Sequence, residues 1–224
     1  MKDNCIITID GPAGAGKTTI ARMVADKLNF KYVDTGAMYR AVTLSVLNAG
    51  LKFTQVPEIE KLVENIKISI DFSEDGMLIY LDGKEISCEI RSSRVTENTS
   101  LVAAIPGVRY LLAGLQRKSA SLFKKVVFEG RDMGSMVFPE AALKVYLDAD
   151  IEERARRRWQ EMNENGIEVD MEDLKEKIRK RDRLDESRGL APLRVPENAF
   201  IIDSTSMTLE QVVEKIVNAL DKEN

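Results

Sequence analysis

Histidine is absent from this chain of 224 residues. Its absence excludes histidine general-base catalysis, the serine–histidine–aspartate triad and the ligation of metal ions by imidazole. Any chemistry that the protein performs must therefore use lysine, arginine, carboxylate and hydroxyl side chains.

Cysteine is nearly as scarce, since Cys5 and Cys88 are the two examples. Cys5 falls in a predicted buried strand and Cys88 in a β-rich region. Two isolated thiols support neither a disulfide framework nor a thiolate metal cluster. We expect both cysteines to be structural.

Long apolar runs are missing as well. A membrane-spanning helix needs roughly 18 or more apolar residues in succession, and no such stretch occurs. The first residues also lack the basic and apolar regions of a signal peptide. We therefore expect a cytoplasmic protein without a membrane partner.

The charge balance is slightly acidic, with 33 lysines and arginines against 37 aspartates and glutamates. A formal net charge of -4 argues against a general nucleic-acid binder but is compatible with a local basic pocket for small anions. We expect small-molecule substrates, no nucleic acid and a monomeric chain. Because 44% of the residues are hydrophobic, a substantial core can form.

Most of the chain alternates between short β-rich runs and stretches with helical periodicity. The predicted strands cover residues 5–10, 30–34, 125–129, 143–148 and 199–203. The predicted helices cover residues 18–28, 39–47, 107–121 and 208–220. This alternation predicts an α/β fold of three layers, α/β/α, with a parallel central sheet.

Two segments depart from this alternation. Between residues 61 and 100, apolar and polar side chains alternate on both sides of Asp75-Gly76, which predicts an inserted antiparallel β unit. Residues 151–185 are highly charged and helix-prone, with Asn165-Gly166 as a turn between two helices. The remaining residues, 1–60, 101–150 and 186–224, form the predicted core domain.

A glycine-rich segment joins the first predicted strand to the first predicted helix. It reads Gly11-Pro12-Ala13-Gly14-Ala15-Gly16-Lys17-Thr18, which matches the P-loop pattern in the structural context that this pattern requires. Backbone N–H groups of such a loop bind phosphate, its lysine reaches the β- and γ-phosphates, and its hydroxyl ligates Mg²⁺. The segment predicts nucleotide binding, and it leaves open a kinase, a hydrolase or a nucleotide switch.

Two further polar segments follow predicted core strands. The first is Asp34-Thr35-Gly36-Ala37-Met38-Tyr39-Arg40, and the second is Glu129-Gly130-Arg131-Asp132-Met133-Gly134. Ligands of α/β proteins bind at the carboxyl ends of the strands. Arginine and hydroxyl side chains at these positions predict a site for a second anion.

Together with the P-loop and with Arg181, Asp185 and Arg188, these segments resemble the bacterial cytidylate kinases. The shared motifs are dispersed over nearly the whole chain. The insert at 61–100 resembles the monophosphate-binding β unit of that family, and residues 151–185 resemble its helical lid. The resemblance implies a P-loop nucleoside monophosphate kinase that phosphorylates CMP and dCMP with ATP and Mg²⁺ in pyrimidine metabolism.

The resemblance also implies roles for individual residues on the acceptor side. The CMP phosphate is assigned to Arg40, Arg131 and Arg188, cytosine to Ser100, Arg109 and Asp132, and the sugar with its surroundings to Thr35, Arg181 and Asp185. A carboxylate, an arginine and a hydroxyl suit cytosine because its amino group donates a hydrogen bond and its other edge groups accept. Uracil reverses the donor at that edge.

The donor side follows from the same comparison. The residues expected to bind ATP are Gly11, Pro12, Ala13, Gly14, Ala15, Gly16, Lys17, Thr18, Thr19, Arg154 and Arg158. Thr18 is expected to ligate Mg²⁺ directly. Glu129 is expected to hold it through water, although the family often has an aspartate at this position.

The arginine-rich start of the 151–185 segment predicts a lid that closes over ATP. Arg154, Arg157 and Arg158 share a helix face at i, i+3 and i+4 spacing. The expected catalytic residues are Lys17, Arg131, Arg157 and Arg188. A phosphate oxygen is already anionic at neutral pH, so the transfer requires positioning and charge neutralisation and no general base.

Two other classes of function stay open at this level. A kinase acting on AMP, UMP or shikimate would share the loop and the sheet. A nucleotide-dependent switch without transferase activity would use the β insert as a partner surface, but it would not need a second anion site.

Overall fold

The computed structural model describes residues 4–74, 76–164 and 166–223. Its strands are β1 (Cys5–Asp10), β2 (Lys31–Asp34), β3 (Ile68–Ser73), β4 (Gly76–Leu81), β5 (Lys84–Glu85), β6 (Lys125–Gly130), β7 (Leu143–Asp148) and β8 (Phe200–Asp203). Its helices are α1 (Lys17–Leu28), α2 (Thr35–Asn48), α3 (Val56–Asn65), α4 (Ser93–Ala103), α5 (Pro106–Phe123), α6 (Ile151–Glu164), α7 (Met171–Glu186) and α8 (Leu209–Glu223). None of the helices in the described ranges combines the length and the apolar character that crossing a bilayer requires.

A five-stranded sheet has the strand order β2-β6-β1-β7-β8. β1 runs parallel to β6 and to β7, and β7 runs parallel to β8. In this register Asp10, the last residue of β1, pairs with Gly130, the last residue of β6. The predicted parallel α/β fold is confirmed, and two of the motif-bearing loops leave the sheet side by side.

The hydrophobic core beside this sheet joins β1 and β7 to α1 and α8. Ile7 and Ile9 of β1, Val145 of β7, Ile20 of α1 and Ile216 of α8 are all inaccessible to solvent. Burying each such side chain contributes about 1.5–3 kcal/mol. The core thereby holds in place β1 and α1, the strand and the helix that the P-loop connects.

The contacts of the chain divide it into two compact units, Met1–Tyr32 with Phe123–Asn224, and Val33–Leu122. In the second unit, α2 packs against α4 and β4, and β3, β4 and β5 form an antiparallel sheet. Gly76 begins β4 with a φ of 116°, which only glycine adopts readily. Asp75, the other half of the predicted hairpin signal, lies outside the described residues.

The antiparallel sheet is narrower than the β unit predicted over residues 61–100. It spans Ile68–Ser73 to Lys84–Glu85, whereas α3 and α4 occupy the flanks of the predicted range. Buried side chains recur at helical spacing in both flanks, at Ile59 and Val63 in α3 and in the first turns of α4. The proposed domain bounds themselves stay a prediction.

The predicted helix pair of residues 151–185 is present as α6 and α7. Ala155 of α6 packs with Leu174 and Ile178 of α7 in a small apolar cluster. The indole N–H of Trp159 donates to the carbonyl of Val169, with the nitrogen 3.2 Å from the oxygen. Asn165, predicted as part of the turn between the helices, lies outside the described residues.

Candidate active site

The P-loop occupies residues 11–16 between β1 and α1. Gly11 has a φ of 151°, and a Cβ at this position would collide with the carbonyl oxygen of Leu147. Gly16, at the other end, lies before α1 in the left-handed conformation. Because Gly16 has no side chain with which to cap α1, a bound phosphate can accept hydrogen bonds from the first N–H groups of the helix.

Lys17 lies at the start of α1 and is 6% exposed. Its Nζ donates to the carbonyl oxygen of Pro12 over 2.6 Å, so the side chain folds back along the loop. Burial, reinforced by the positive charge of Arg131, holds the pKa of Lys17 well below its ordinary value. A phosphate beside Lys17 would supply the negative charge that stabilises the ammonium form.

An oxygen pair suited to magnesium lies next to the loop. The Thr18 hydroxyl donates to Oε1 of Glu129 over 2.9 Å, and Glu129 is 8% exposed at the end of β6. Within the described residues no cluster of three or more histidine, cysteine or carboxylate side chains forms a protein-only metal cage. Nucleotide-bound Mg²⁺ does not need one, because it takes one or two protein oxygens together with phosphates and water.

Asp10 joins the P-loop strand to the segment that follows β6. Its carboxylate accepts from the N–H of Met133 over 2.9 Å and from the N–H of Gly134 over 2.7 Å. The side chain has no solvent exposure. The sequence analysis assigned no role to Asp10, and the structure shows that it anchors the turn that follows Arg131 and Asp132.

The ionised carboxylate of Asp10 is expected to lower the free energy of unfolding. Burial raises its pKa from 3.8 to about 6, even though the N–H groups of Gly134 and Met133 lower it. The folded protein therefore binds this proton more tightly than the unfolded chain does. The contribution of Asp10 to the free energy of unfolding is expected to fall by roughly 3 kcal/mol as pH rises through this interval.

Urea unfolding of the wild type and of Asp10→Asn from about pH 4 to about pH 7 measures this contribution. The stability of the wild type relative to the variant should decline as pH rises. A difference that stays constant over the range would show that Asp10 ionises in the folded protein as it does in the unfolded chain.

Two arginines share one carboxylate in the first unit. Nε of Arg131 donates to Oδ2 of Asp185 over 3.0 Å, and Nη2 of Arg188 lies 3.2 Å from Oδ1 of the same residue. Burial alone would raise the pKa of Asp185, but the positive charges of the neighbouring arginines, Arg131 first, outweigh it and hold the pKa below the ordinary value. Asp185 thus orients both guanidinium groups while leaving an excess of positive charge.

The remaining predicted residues of this unit lie nearby in the chain. Asp132, 3% exposed, directly follows Arg131. Arg181 is on α7 and is one of the charges that act on both Lys17 and Asp185. The resemblance assigned Asp185 to the sugar and its surroundings. In the structure both of its oxygens contact arginines that are predicted to bind the CMP phosphate.

The second unit contains an analogous arrangement. Nη2 of Arg40 donates to Oδ2 of Asp34 over 2.5 Å, and Oδ1 of Asp34 accepts from the N–H of Ala37 at the start of α2. Thr35, the first residue of α2, is 2% exposed. Asp34 therefore caps the helix and holds Arg40 at the same time, a role that the sequence analysis did not assign to it.

Arg109 and Ser100, the other predicted residues of this unit, lie on α5 and α4. Arg109 is 2% exposed, donates to the carbonyl of Ala103 over 2.9 Å and has its guanidinium carbon 5.4 Å from the ring centre of Tyr39. Such a stacked, buried arginine is held in one orientation. Ser100 is half-buried.

Three of the four arginines of α6 were predicted to share one face, and they differ in their surroundings. Arg154 donates to the carbonyl of Ala13 in the P-loop over 3.0 Å. Arg157 donates to the carbonyl of Ser204 over 2.7 Å and to its hydroxyl over 3.1 Å. Arg158 is 39% exposed at its side chain and pairs with Glu161. The predicted common face thus separates into two arginines that contact the first unit's loops and one that faces solvent.

The chain is similar to known proteins over nearly its whole length. The family model described as cytidylate kinase matches residues 7–222. Proteins named cytidylate kinase are 47% identical over 216 residues in Caldanaerobacter subterraneus subsp. tengcongensis, covering 96% of this chain and 94% of the relative, and 48% identical over 214 residues in Alkaliphilus oremlandii, covering 96% of each.

The relative from Clostridioides difficile, also named cytidylate kinase, is 44% identical over 97% of this chain and 99% of its own length. A solved gluconokinase from Sinorhizobium meliloti shares the fold at a TM-score of 0.50, with 11% identity, over 99% of this chain and 94% of that one. The gluconokinase supports the fold alone. With near-complete matches in both the family model and the relatives, the chain belongs to the cytidylate kinase family.

Proposed function

We propose that the protein transfers the γ-phosphoryl group of ATP to CMP or dCMP, which yields ADP and CDP or dCDP, in the pyrimidine metabolism of the cytoplasm. The observation that carries this proposal concerns two sites of the first unit, the P-loop lysine and the residues proposed to bind CMP, whose charges influence each other. The charges of Arg131, Arg181 and Asp185 all act on Lys17 of the P-loop. A phosphate donor at Lys17 and a phosphate acceptor at Arg131 would therefore lie close together.

The chemistry is an in-line displacement. An oxygen of the CMP phosphate forms a bond to the γ-phosphorus, the bond from that phosphorus to the bridging oxygen breaks, and its electron pair leaves with ADP. No proton has to be removed from the nucleophile, which suits a protein without histidine. Lys17, Arg131, Arg157 and Arg188 would neutralise the charge on the transferring group, and each such donor can contribute about 10²–10³ in rate.

Thr18 and Glu129 would hold Mg²⁺, the hydroxyl directly and the carboxylate through water. The 2.9 Å contact between their oxygens, which joins the start of α1 to the end of β6, supports this assignment. When bound, the ion neutralises charge on the β- and γ-phosphates of ATP. The other proposed donor-side residues are Gly11, Pro12, Ala13, Gly14, Ala15, Gly16, Thr19, Arg154 and Arg158.

On the acceptor side we assign Arg40, Arg131 and Arg188 to the CMP phosphate. Asp34 and Asp185 support this assignment, since each orients one or two of these arginines. Ser100, Arg109 and Asp132 would read cytosine, and Thr35, Arg181 and Asp185 would surround the sugar. The burial of Arg109 and Asp132 supports a reading role, because buried polar groups discriminate strongly between bases.

Closure of α6 and α7 on the substrates is the next expectation. Water must be excluded, since otherwise ATP would be hydrolysed without an acceptor. Amide hydrogen exchange in residues 151–185 is expected to slow when CMP and a nonreactive ATP analogue are added together. Exchange in α8, which lies in the core, should not change, and an unchanged rate in residues 151–185 would contradict the lid assignment.

The acceptor assay tests the function itself. Purified protein is mixed with Mg²⁺ and ATP, and ADP formation is measured with CMP, dCMP, UMP, AMP or no acceptor. ADP that appears with CMP and dCMP alone supports both the transfer and the base assignment. Activity with another monophosphate alone would overturn the roles of Ser100, Arg109 and Asp132, and turnover without an acceptor would favour a hydrolase.

A further inference from the structure

A single P-loop residue is held by side chains from both lid helices. The N–H of Ala13 donates to Oδ1 of Asp182 on α7 over 3.1 Å. Its carbonyl accepts from Nη1 of Arg154 on α6 over 3.0 Å. The same Nη1 lies 2.5 Å from Oδ2 of Asp182, so one ion pair satisfies both backbone groups of Ala13.

The surroundings of this ion pair make it a built structural feature. Asp182 is 8% exposed, and the Arg154 side chain is 11% exposed. The Arg154 Nε also donates to the carbonyl of Ala149 over 2.9 Å, which fixes the guanidinium from its other side. A buried pair with satisfied partners holds its geometry, whereas the loss of one partner leaves a charge uncompensated.

Packing adds a second, independent link at the same residue. The side chain of Ala13 belongs to the apolar cluster of Ala155, Leu174 and Ile178 between the lid helices. At the next residue, a Cβ on Gly14 would lie 2.9 Å from the carbonyl oxygen of Arg154. The loop therefore approaches α6 as closely as a glycine permits.

We propose that Asp182, acting with Arg154, is a positioning residue for ATP, because the pair fixes Ala13 and thereby the P-loop in its phosphate-binding shape. This inference rests on the proposed kinase function and extends it. Neither side chain needs to touch the nucleotide for this role. For Arg154, this action through the loop backbone adds to the ATP-binding role expected from the resemblance.

The consequence is specific to one substrate. Phosphate binding by backbone N–H groups depends on their being oriented beforehand, since ordering a loose loop has an entropic cost that reduces affinity. The side chains of Asp182 and Arg154 bond to Ala13, to Ala149 and to each other, whereas Asp185 pairs with Arg131 and Arg188. Their loss should weaken ATP binding and leave CMP binding largely unchanged.

The lid helices contain a tryptophan whose fluorescence emission reports on their packing. Trp159 on α6 is the one tryptophan of the chain, and its indole N–H donates to Val169, which precedes α7. Emission from Trp159 therefore reports whether the lid helices keep their packing. In a variant that retains the wild-type emission, the lid helices keep their packing. A loss of ATP affinity in that variant can then be attributed to the lost link between the lid and the P-loop.

The test compares Asp182→Ala and Asp182→Asn with the wild type, and uses Arg156→Ala as the matched control. Arg156 lies on α6, the helix of Arg154, but its side chain is 57% exposed and pairs with Glu153. Calorimetry measures the affinity for a nonreactive ATP analogue, and separately for CMP, so the result does not depend on phosphoryl transfer. Trp159 emission is recorded for each protein.

Asp182→Ala is expected to weaken binding of the analogue roughly ten- to a hundredfold, the effect of losing a hydrogen bond to a charged group. Asp182→Asn retains an oxygen for the Ala13 N–H and should lose less. CMP affinity, Trp159 emission and the Arg156→Ala control should match the wild type. Unchanged affinity for the analogue, or an equal loss for both ligands, would overturn the proposal.

A second substitution keeps the proposal testable if Asp182→Ala does not fold. Arg154→Gln removes the charge from the other side of the pair and retains a donor that can reach the Ala13 carbonyl. Together with Asp182→Asn it forms a double-mutant cycle. If the pair acts as one unit, the double variant should bind the analogue about as weakly as the weaker single variant, whereas fully additive losses would contradict a joint action.

Discussion

Replacing Arg131 with alanine is expected to lower kcat/KM for CMP by about two to three orders of magnitude, the effect of removing one donor from a preorganised anion site. The substitution removes a proposed phosphate ligand. It also removes one of the two guanidinium groups that neutralise Asp185. The remaining carboxylate charge would then repel the incoming phosphate, so both effects act in the same direction.

Steady-state kinetics at saturating ATP measure this loss. Arg131→Lys should recover only part of it, because an ammonium group cannot reproduce the geometry in which Nε contacts Asp185. Arg183→Ala is the matched control, since Arg183 lies on α7 with 73% of its side chain exposed. A kcat/KM for Arg131→Ala within a few-fold of the control would contradict the assignment.

Replacing Asp132 with alanine should abolish the preference for cytosine with little effect on ATP. Asp132 is buried, and a site built to accept a hydrogen bond from an amino group loses discrimination of about 10²-fold or more when that acceptor is removed. We expect kcat/KM for CMP to fall by this factor. Binding of a nonreactive ATP analogue should remain close to that of the wild type.

Asp132→Asn sharpens the test. The amide retains an acceptor but adds a donor, so it can pair with either base edge. The ratio of kcat/KM for CMP to that for UMP should therefore fall. A rise in kcat/KM for UMP should account for more of this fall than it does in the alanine variant. Equal loss of ATP and CMP binding in Asp132→Ala would instead indicate a structural role for this carboxylate.

The parallel sheet could be predicted from the sequence because the patterns that specify its elements are local. The run at Cys5–Asp10, the glycines after it and the helical periodicity of α1 each specify one element. The antiparallel sheet covers part of the β unit predicted over residues 61–100, whose bounds stay a prediction. Its alternating pattern is clear around β3 and β4, but the helical periodicity of α3 and α4 was included in the same segment.

The site was predictable where side chains belong to a continuous motif, and incomplete where a partner comes from elsewhere in the chain. Asp10 is hydrogen-bonded to Gly134, which is 124 positions away in the sequence, and Asp182 to Ala13, which is 169 positions away. No local sequence pattern relates residues so far apart. A weaker signal was present for Asp10 and Asp34, because each ends a predicted strand. Asp10 directly precedes the P-loop, and Asp34 begins the segment that carries Arg40.

A common physical feature links the residues that the sequence analysis missed. Asp34 holds Arg40, and Asp182 holds Arg154. Asp10 instead holds a backbone turn. Each of these carboxylates orients an arginine or backbone N–H groups, so that hydrogen-bond donors are in position before an anion binds. The loss of stability expected for Asp10 as pH rises agrees with a trade-off between stability and a prepared site.

Transfer of label from γ-labelled ATP tests the central claim most directly. Purified protein is incubated with labelled ATP, Mg²⁺ and one acceptor, and the products are separated. The account predicts that the label appears in the β-phosphate of CDP or dCDP when CMP or dCMP is present, and that little inorganic phosphate forms without them. Label found in inorganic phosphate regardless of the acceptor, or in the diphosphate of another nucleotide alone, would contradict the account.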